Sequence, residues 1–219
     1  MKHLATLLLT CGLLLTGCTT NTATASDTDD DGFTALFDGE TLDGWETQSD
    51  WFRIEDGAIV GGSLERDVTA TTFLATTSEY YNFELRYELK MLGARDRANG
   101  GVQFRSARRD DGTGAIGYQA DAGQAYWGLI YDEGRRSQLL TSHPEGFSID
   151  DDINHGEWND FVVRAQDGHL QVWINGKLVS DYHEQDADIA ALTGVIMVQA
   201  HVGPPSEIWY RNLRIKELE

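Results

Sequence analysis

The sequence has 219 residues and a formal net charge of −19, from 36 acidic and 17 basic side chains. This balance argues against binding to nucleic acids, which need a basic surface, and against binding to an anionic membrane surface. Hydrophobic residues make up 41% of the chain, including six Trp and eight Tyr, which is enough for one domain with a real core.

The first 17 residues predict a bacterial export signal. Lys2 supplies the positive start, and the apolar stretch after it is shorter than the ~20 residues that span a bilayer. The stretch ends in Leu15-Thr16-Gly17-Cys18, which resembles the lipobox of bacterial lipoproteins. We therefore expect a signal peptide at 1–17, lipid on Cys18 and anchoring in the bacterial cell envelope, at the outer membrane because no Asp follows the Cys. The alternative is an ordinary secretory signal.

Residues 18–32 are small, polar and acidic, and they contain no side chain that could build a core. Such composition predicts a flexible acidic linker between the lipidated Cys and a folded domain at 33–219. Cys11 would be removed with the signal, so no cysteine would remain for a disulfide, a zinc site or a thiol nucleophile.

From residue 33 onward the chain predicts short strands separated by tight turns. Residues 51–62 hold two strands around Asp56-Gly57, a strong hairpin signal, and residues 83–92 alternate apolar and polar side chains. Residues 161–182 predict three strands broken at Asp-Gly and Asn-Gly, and residues 208–218 predict a closing strand. One helical turn is expected near 186–192. The pattern favours an all-β antiparallel sandwich.

Three of the predicted strands carry polar side chains two residues apart among small or apolar neighbours. Strand side chains alternate between faces, so each pair is expected on one side of its sheet. The pairs are Gln103 with Arg105, Gln119 with Asp121, and Gln199 with His201. Together with nearby aromatic residues, such a face is typical of a cleft for a polar ligand, and sugars are the natural candidates.

An ordered set of motifs resembles the 3-keto-disaccharide hydrolase domain family over nearly all of 33–219. The motifs are Phe37-Asp38-Gly39, Leu42-Asp43-Gly44-Trp45, Trp51, Glu55-Asp56-Gly57, Asn82-Phe83-Glu84-Leu85, Asn99-Gly100-Gly101-Val102 with Arg105, Gly117-Tyr118-Gln119-Ala120-Asp121, Gly156-Glu157-Trp158-Asn159, Val172-Trp173-Ile174-Asn175-Gly176 and the run 211–218. The family usually has Asn-Ser-Gly at 99–101. Many members have Glu at Gln119, so no carboxylate role transfers to that position.

The resemblance implies a two-sheet antiparallel jelly-roll sandwich, similar to concanavalin A and laminin G domains. It also implies activity on glycosides that a separate sugar 3-dehydrogenase has oxidised at C3. A C3 ketone acidifies the C2 proton, so a base can form an enolate. The C1 aglycone then leaves by β-elimination, and water adds to the enone. Direct hydrolysis of the keto-glycoside is the alternative route. Such a site needs a base, a donor to the enolate oxygen and a proton for the leaving group.

Four residues are the candidates for this chemistry. His201 is expected to be the base because imidazole titrates near neutrality, with a rim histidine bonded to the backbone as the alternative. Arg105 is expected to hold the enolate oxygen, or else to pair with Asp121 in the cleft. Asp121 is open as acid, base or hydroxyl acceptor, and Glu133 would be a second carboxylate for acid–base work.

Substrate contacts are expected from amides, aromatic rings and one further histidine: Gln103, Gln119, Gln199, Asn99, Trp127, Tyr131 and His143. No cofactor is indicated, although a divalent metal stays open if the fold gathers His143, His201 and carboxylates.

Two other functions compete with the keto-glycoside reaction. A non-catalytic carbohydrate-binding lipoprotein would use the same fold and the same polar face. An ordinary glycosidase would need two carboxylates, for which Asp121 and Glu133 are the candidates, at ~5 or ~6.5–9.5 Å.

Overall fold

Fifteen β-strands and one helical turn make up the computed structural model, which describes residues 31–47, 49–109 and 114–219. The predictions of a signal peptide, of lipid on Cys18 and of most of the linker lie outside these residues. In chain order the strands are β1 Thr34–Ala35, β2 Trp45–Glu46, β3 Phe52–Glu55, β4 Ala58–Ser63, β5 Thr72–Thr76, β6 Phe83–Gly93, β7 Asn99–Arg108, β8 Ala115–Gly123, β9 Ile130–Glu133, β10 Gln138–Leu139, then helix α1 Ile149–Asp152, and β11 Asn159–Gln166, β12 His169–Ile174, β13 Lys177–His183, β14 Val195–Ala200 and β15 Ser206–Glu217.

The strands form two antiparallel sheets packed face to face, so the expected all-β sandwich is confirmed. Sheet A has the order β13-β12-β11-β6-β15-β4-β3, with β1 added beside β15. Sheet B has the order β10-β9-β8-β7-β14-β5-β2. The chain crosses from sheet A to sheet B between β13 and β14 and returns with β15. Central strands therefore pair with partners distant in sequence, as in a jelly roll.

The Asp-Gly and Asn-Gly turns are hairpins, as expected. Asp56 and Gly57 have φ of 48° and 71°, and Asn175 and Gly176 have 49° and 79°. Positive φ at both central residues matches the right-handed twist of the flanking strands, and Asn, Asp and Gly tolerate that backbone best. The register pairs Glu55 with Ala58 directly across the first of these turns.

The core lies between the sheets and follows the predicted alternation. On β6, Phe83, Leu85, Tyr87 and Leu89 are buried, whereas the intervening side chains are half-buried on the outer face of sheet A. Opposite them, β8 contributes Tyr118 and its alternate neighbours. Because β8 is covered on both faces, its other alternate residues are buried too, and these include polar side chains.

The expected helical turn near 186–192 is present as a single turn. The amide of Ala190 donates there to the carbonyl of Asp186, and no helix follows. A one-turn helix that was not expected lies at Ile149–Asp152, where the Ser148 amide donates to the carboxylate of Asp152. In the described part of the chain, no helix has the length and apolarity needed to cross a bilayer.

Candidate active site

A cleft of about 380 Å³ opens on the outer face of sheet B. It is lined by Thr71, Asn99, Gln119, Asp121, Tyr126, Tyr131, Glu133, Leu139, Gln199 and His201. The cleft therefore brings together seven of the eleven residues that were expected to act in catalysis or substrate binding. They come from β7, β8, β9 and β14, or follow directly after β14.

The floor of the cleft is open because its central position is a glycine. Gly101 on β7 lies directly opposite Asp121 on β8. On the other side of β7, Val102 pairs with Val198, which brings Gln199 beside Gly101. A Cβ on Gly101 would lie 2.6 Å from the carbonyl oxygen of Ala120, and its φ is +151°. The backbone thus leaves room between Asp121 and Gln199 that any side chain would fill.

Replacing Gly101 by Ala should destabilise the fold by about 1–3 kcal/mol, through the contact with Ala120 and the positive φ. It should also weaken saccharide binding by filling the floor. Urea unfolding and binding titrations measure the two effects. Gly176→Ala is the matched control, because its φ is +79° but nothing lies within 4 Å of its Cβ position. Equal costs for both variants would contradict the role of the Ala120 contact.

A tyrosine from the core separates the two floor strands. The buried hydroxyl of Tyr210 donates to the carbonyl oxygens of Gly101 and Gln199, at 3.1 and 2.8 Å. It also accepts from the amide of Gln199 at 3.3 Å. The phenol therefore satisfies backbone groups of β7 and β14, and burial raises its pKa. This contact joins residues 109 positions apart in sequence, and no local pattern predicts it.

A chain of buried side-chain hydrogen bonds leads to Asp121. The hydroxyl of Ser106 donates to Gln103 Oε1 at 2.8 Å, and Gln103 Nε2 donates to Gln119 Oε1 at 2.8 Å. Gln119 Nε2 in turn donates to Asp121 Oδ1. Because each amide has one acceptor end and one donor end, the direction of the chain fixes which end of Gln119 faces the carboxyl group. Gln103 therefore lies beneath the cleft and supports it, without reaching its surface.

Burial raises the pKa of Asp121 to about 7. Desolvation is the main cause, and the negative charge of Glu133 adds to it, whereas the hydrogen bond from Gln119 opposes it. Near neutral pH this carboxyl group therefore exists in both forms, so that it can either donate or accept a proton.

His201 has the tautomer of a proton acceptor. Its Nδ1 lies 2.6 Å from the carbonyl oxygen of Val202. A carbonyl only accepts, so Nδ1 carries the hydrogen and Nε2 keeps its lone pair in the neutral ring. Burial lowers the pKa of His201, which favours that neutral ring. His201 therefore lies at the rim of the cleft with its ring bonded to the backbone, which is the geometry of the alternative weighed above, and its role as the base stays a prediction.

Tyr131 and Glu133 reach the cleft because the residue between them is anchored on the other side of β9. Asp132 is fully buried and pairs with Arg135 and Arg136 at 2.6 and 2.8 Å. Arg136 also pairs with Glu184 at 2.7 Å. This network fixes the strand, and partial burial raises the pKa of Glu133.

The expected position of Arg105 in the cleft is wrong. The pairing of β7 with β8 shifts between Phe104 and Ala107, and Arg105 has a φ of +47° within that bulge. A bulge interrupts the alternation of faces, so Arg105 does not follow Gln103. Its guanidinium donates instead to the carbonyl oxygens of Tyr81 and Asp167 and to Asn82 Oδ1.

Comparison with known families identifies the chain. A family model described as a 3-keto-alpha-glucoside-1,2-lyase-like domain matches residues 32–216. The chain belongs to this family. The match confirms the resemblance drawn from the motifs and makes the domain a carbohydrate-related one. Among curated proteins, none matches.

Solved structures similar to this family member share its fold at low identity. A protein of Parabacteroides distasonis ATCC 8503 named as a candidate glycosyl hydrolase is 20% identical, with a TM-score of 0.63 over 86% of this chain and 95% of that one. The carbohydrate-binding module CBM66 of Bacillus subtilis is 12% identical, with a TM-score of 0.58 over 80% and 96%. A Bacillus subtilis protein of unknown function with a galectin-like fold is 11% identical, with a TM-score of 0.59 over 80% and 90%.

Two expected substrate contacts of this family member lie outside the cleft. Trp127 is buried in the core against Phe161, with ring centroids 6.4 Å apart. His143 donates from Nε2 to the carbonyl of Trp127 at 2.8 Å and packs against Phe147. Trp127 lies in the connection between β8 and β9 and His143 follows β10, so the alternation of a strand applies to neither residue.

Three lining residues were not among the expected contacts: Thr71, Tyr126 and Leu139. Thr71 comes just before β5 and Leu139 ends the edge strand β10, so their place beside the cleft depends on strand pairing and not on a pattern in their own segments. Tyr126 stands next to Trp127, and sequence gives no way to tell which of two adjacent aromatics is buried.

The metal ligands considered above are not gathered in the cleft. His143 lies away from His201, as described. Within residues 31–47, 49–109 and 114–219, one group of three His, Cys, Asp or Glu side chains could hold an ion, and it lies on β12 and β13 of sheet A.

Proposed function

We propose that the protein cleaves glycosides that carry a ketone at C3, by removal of the C2 proton, loss of the C1 aglycone and addition of water. The observation that carries the proposal is the pair of proton-transfer groups in one cleft. His201 presents an unprotonated Nε2, and Asp121 has a pKa of about 7. The family match supplies the substrate class.

The two groups divide the proton transfers. His201 Nε2 accepts the C2 proton, which the adjacent ketone makes acidic, and becomes imidazolium. The enolate then forms the C1–C2 double bond while the bond between C1 and the glycosidic oxygen breaks, and the bonding electrons stay with that oxygen. Protonated Asp121 donates its proton to the oxygen, so the aglycone leaves as an alcohol. Water then adds to the enone, with OH to C1 and H to C2, and the two groups regain their starting states. The net reaction is hydrolysis of the glycosidic bond.

Neutral donors take the part that was expected of Arg105. Among the described residues that line the cleft, none is Lys or Arg. The donors to the enolate oxygen are therefore the amides of Asn99 and Gln199 and the phenols of Tyr126 and Tyr131. Donors fixed in a buried site stabilise developing charge strongly, because the local dielectric is low.

The remaining groups bind the sugar. Tyr126 and Tyr131 offer ring faces for the apolar side of a pyranose. Gln199 Oε1 is buried and has no partner among the described residues, so a sugar hydroxyl donating to it would satisfy an otherwise unpaired acceptor. A C3-oxidising dehydrogenase must supply such a substrate. The lipid anchor on Cys18 and the envelope location stay proposals, which metabolic labelling with palmitate would test.

The direct test compares a 3-keto-glucoside with its parent glucoside and follows release of the aglycone, with and without chelator. We expect release from the keto compound only. Saturable binding of both sugars without release of the aglycone would contradict an enzymatic function. It would favour a non-catalytic carbohydrate-binding protein, a function that also agrees with the structural similarity to a carbohydrate-binding module. Release from the parent glucoside would favour a glycosidase using Asp121 and Glu133.

Replacing His201 by Gln should lower kcat for the keto-glucoside by about 10²-fold, the low end of the range for a general base. His201 lies at the half-exposed margin of the cleft, where water can partly replace it. Binding of the sugar should persist. The control is His155→Gln, because His155 bonds to the carbonyl of Ile149, packs edge-on against Trp127 and is not among the residues that line the cleft. Unchanged turnover in His201→Gln would remove it as the base.

A further inference from the structure

Three side chains that can bind a metal, two His and one Asp, meet on the solvent side of the β12–β13 hairpin, on the opposite sheet from the cleft. His169 on β12 lies directly across from His183 on β13, and Gln171 lies across from Asp181. All four side chains lie on the solvent side of the hairpin. They alternate along the strands with buried residues such as Leu170 and Val172, which pack in the core. The strand register, rather than a mobile loop, therefore brings these side chains together.

The distances between these side chains suit a shared ion. One ligand atom each from His169, Asp181 and His183 lies within 4.8 Å of the others. His169 Nε2 is 2.7 Å from Asp181 Oδ1, and the two imidazole rings stack with centroids 3.9 Å apart and an angle of 12°. Gln171 Nε2 donates to the second carboxylate oxygen of Asp181 at 3.1 Å, which holds that carboxylate in place.

We propose that His169, Asp181 and His183 form a surface site for a divalent transition-metal ion, with zinc as the best fit. Zinc takes imidazole nitrogen at ~2.0–2.1 Å and carboxylate oxygen at ~2.0–2.2 Å, in tetrahedral geometry. Small rotations of these partly exposed side chains convert the present hydrogen bond into two metal bonds. Water completes the fourth position.

The donor set also selects among metals. Two imidazoles with one carboxylate suit zinc, copper and nickel, whereas magnesium and calcium prefer all-oxygen shells. Gln171 acts as the outer partner that orients the carboxylate ligand.

A bound ion would cross-link β12 to the edge strand β13. Among the described strands, β13 is held in sheet A by β12 alone. The ion would therefore add a second tie at the end of the hairpin and stabilise the folded state by mass action.

The test measures zinc binding to the full chain after chelator treatment, by equilibrium dialysis with metal analysis, together with thermal unfolding. We expect one zinc per chain at this site and a higher Tm with zinc, but no such rise with magnesium. Removing a residue that only hydrogen-bonds to a metal ligand lowers metal affinity ~10–100-fold. His183→Ala and Asp181→Asn remove a ligand itself, so each should lower the affinity for zinc by at least about tenfold.

Two controls locate the site. His201→Gln should keep full zinc affinity, since His201 belongs to the cleft, and Glu145→Gln should keep it because it removes only an exposed charge. The metal-free His183→Ala variant should unfold at the same Tm as the metal-free parent, because His183 is exposed. Zinc affinity unchanged by His183→Ala, or lost in His201→Gln, would overturn the proposal. The outcome is independent of cleavage of keto-glycosides.

Discussion

Replacing Asp121 by Asn should lower release of alkyl alcohol aglycones from 3-keto-glycosides by about 10²–10⁴-fold, the range of a lost general acid. Asp121 is buried, so water cannot take over its proton transfer as it can at His201. Asn has nearly the same shape, and its oxygen can still accept from Gln119. The change therefore removes a proton donor while leaving the hydrogen-bond chain in place.

Two aglycones separate this role from a merely structural one. A para-nitrophenolate leaves without protonation, so the Asn variant should cleave a nitrophenyl keto-glycoside nearly as fast as the parent protein does. The parent's kcat/KM for an alkyl substrate should also depend on pH in a bell shape. On the acidic side it should increase with pH as His201 loses its proton, and above about pH 7 it should decrease because Asp121 loses its proton. Equal losses on both aglycones would contradict the assignment of Asp121 as the acid.

The same substitution should stabilise the fold at alkaline pH. The pKa of Asp121 is about 7 in the folded state against the 3.8 of an ordinary Asp side chain, so folding favours the protonated form. The penalty for burying the charge is absent below the unfolded pKa, grows as pH rises, and is complete above about pH 7. There it amounts to as much as about 4 kcal/mol, from 1.36 kcal/mol per pKa unit. Urea unfolding at pH 5 and pH 8 should show a larger gain for Asp121→Asn at pH 8. A pH-independent difference would contradict the shifted pKa.

Replacing Arg105 by Ala should destabilise the fold by about 3–5 kcal/mol, through the loss of three hydrogen bonds from a buried charged group and of the packing of its stem. The guanidinium ties the bulge in β7 to the turn between β11 and β12 and to the segment before β6, through Asp167, Tyr81 and Asn82. It thereby joins the two sheets. Without it, the carbonyl oxygens of Tyr81 and Asp167 lose a donor, whereas Asn82 Oδ1 still accepts from the amide of Asp167.

Two measurements distinguish this structural role from the catalytic one expected from the sequence. Urea unfolding should show the loss of stability, whereas kcat/KM for the folded fraction should stay close to that of the parent protein. Arg95→Ala is the control, since its pair with Asp150 is exposed and should contribute no more than about 1 kcal/mol. A stable Arg105→Ala protein without activity would restore the enolate-binding role.

The fold and about half of the candidate site follow from local rules. Alternation and the positive-φ turns depend only on neighbouring residues, so the strands, the hairpins and the sandwich were predictable. The same alternation correctly placed Gln119, Asp121, Gln199 and His201 on one face, because β8 and β14 are regular around these residues.

The errors arise where local rules stop. The bulge at Arg105 reverses its side chain, and the run Gln103-Phe104-Arg105 carries no Gly, Asn or Pro that would mark it. Trp127 has the composition of a sugar-stacking residue, but its burial depends on Phe161 from the other sheet. Tyr210 and Ser106 support the cleft through contacts that only the folded chain creates.

The most direct test of the central claim follows the fate of the C2 hydrogen. A 3-keto-glucoside labelled with deuterium at C2 is cleaved in ordinary water. Deuterium at C2 of the released sugar is measured against the same C2-labelled 3-keto sugar held for the same time without protein, because the ketone makes the C2 hydrogen of the product exchangeable as well. Elimination followed by hydration predicts that the newly released sugar carries less label than this control, since the deuteron held by half-exposed His201 exchanges with water. Label in the product at the level of that control would show that the glycosidic bond breaks without C2 proton removal and would contradict the account.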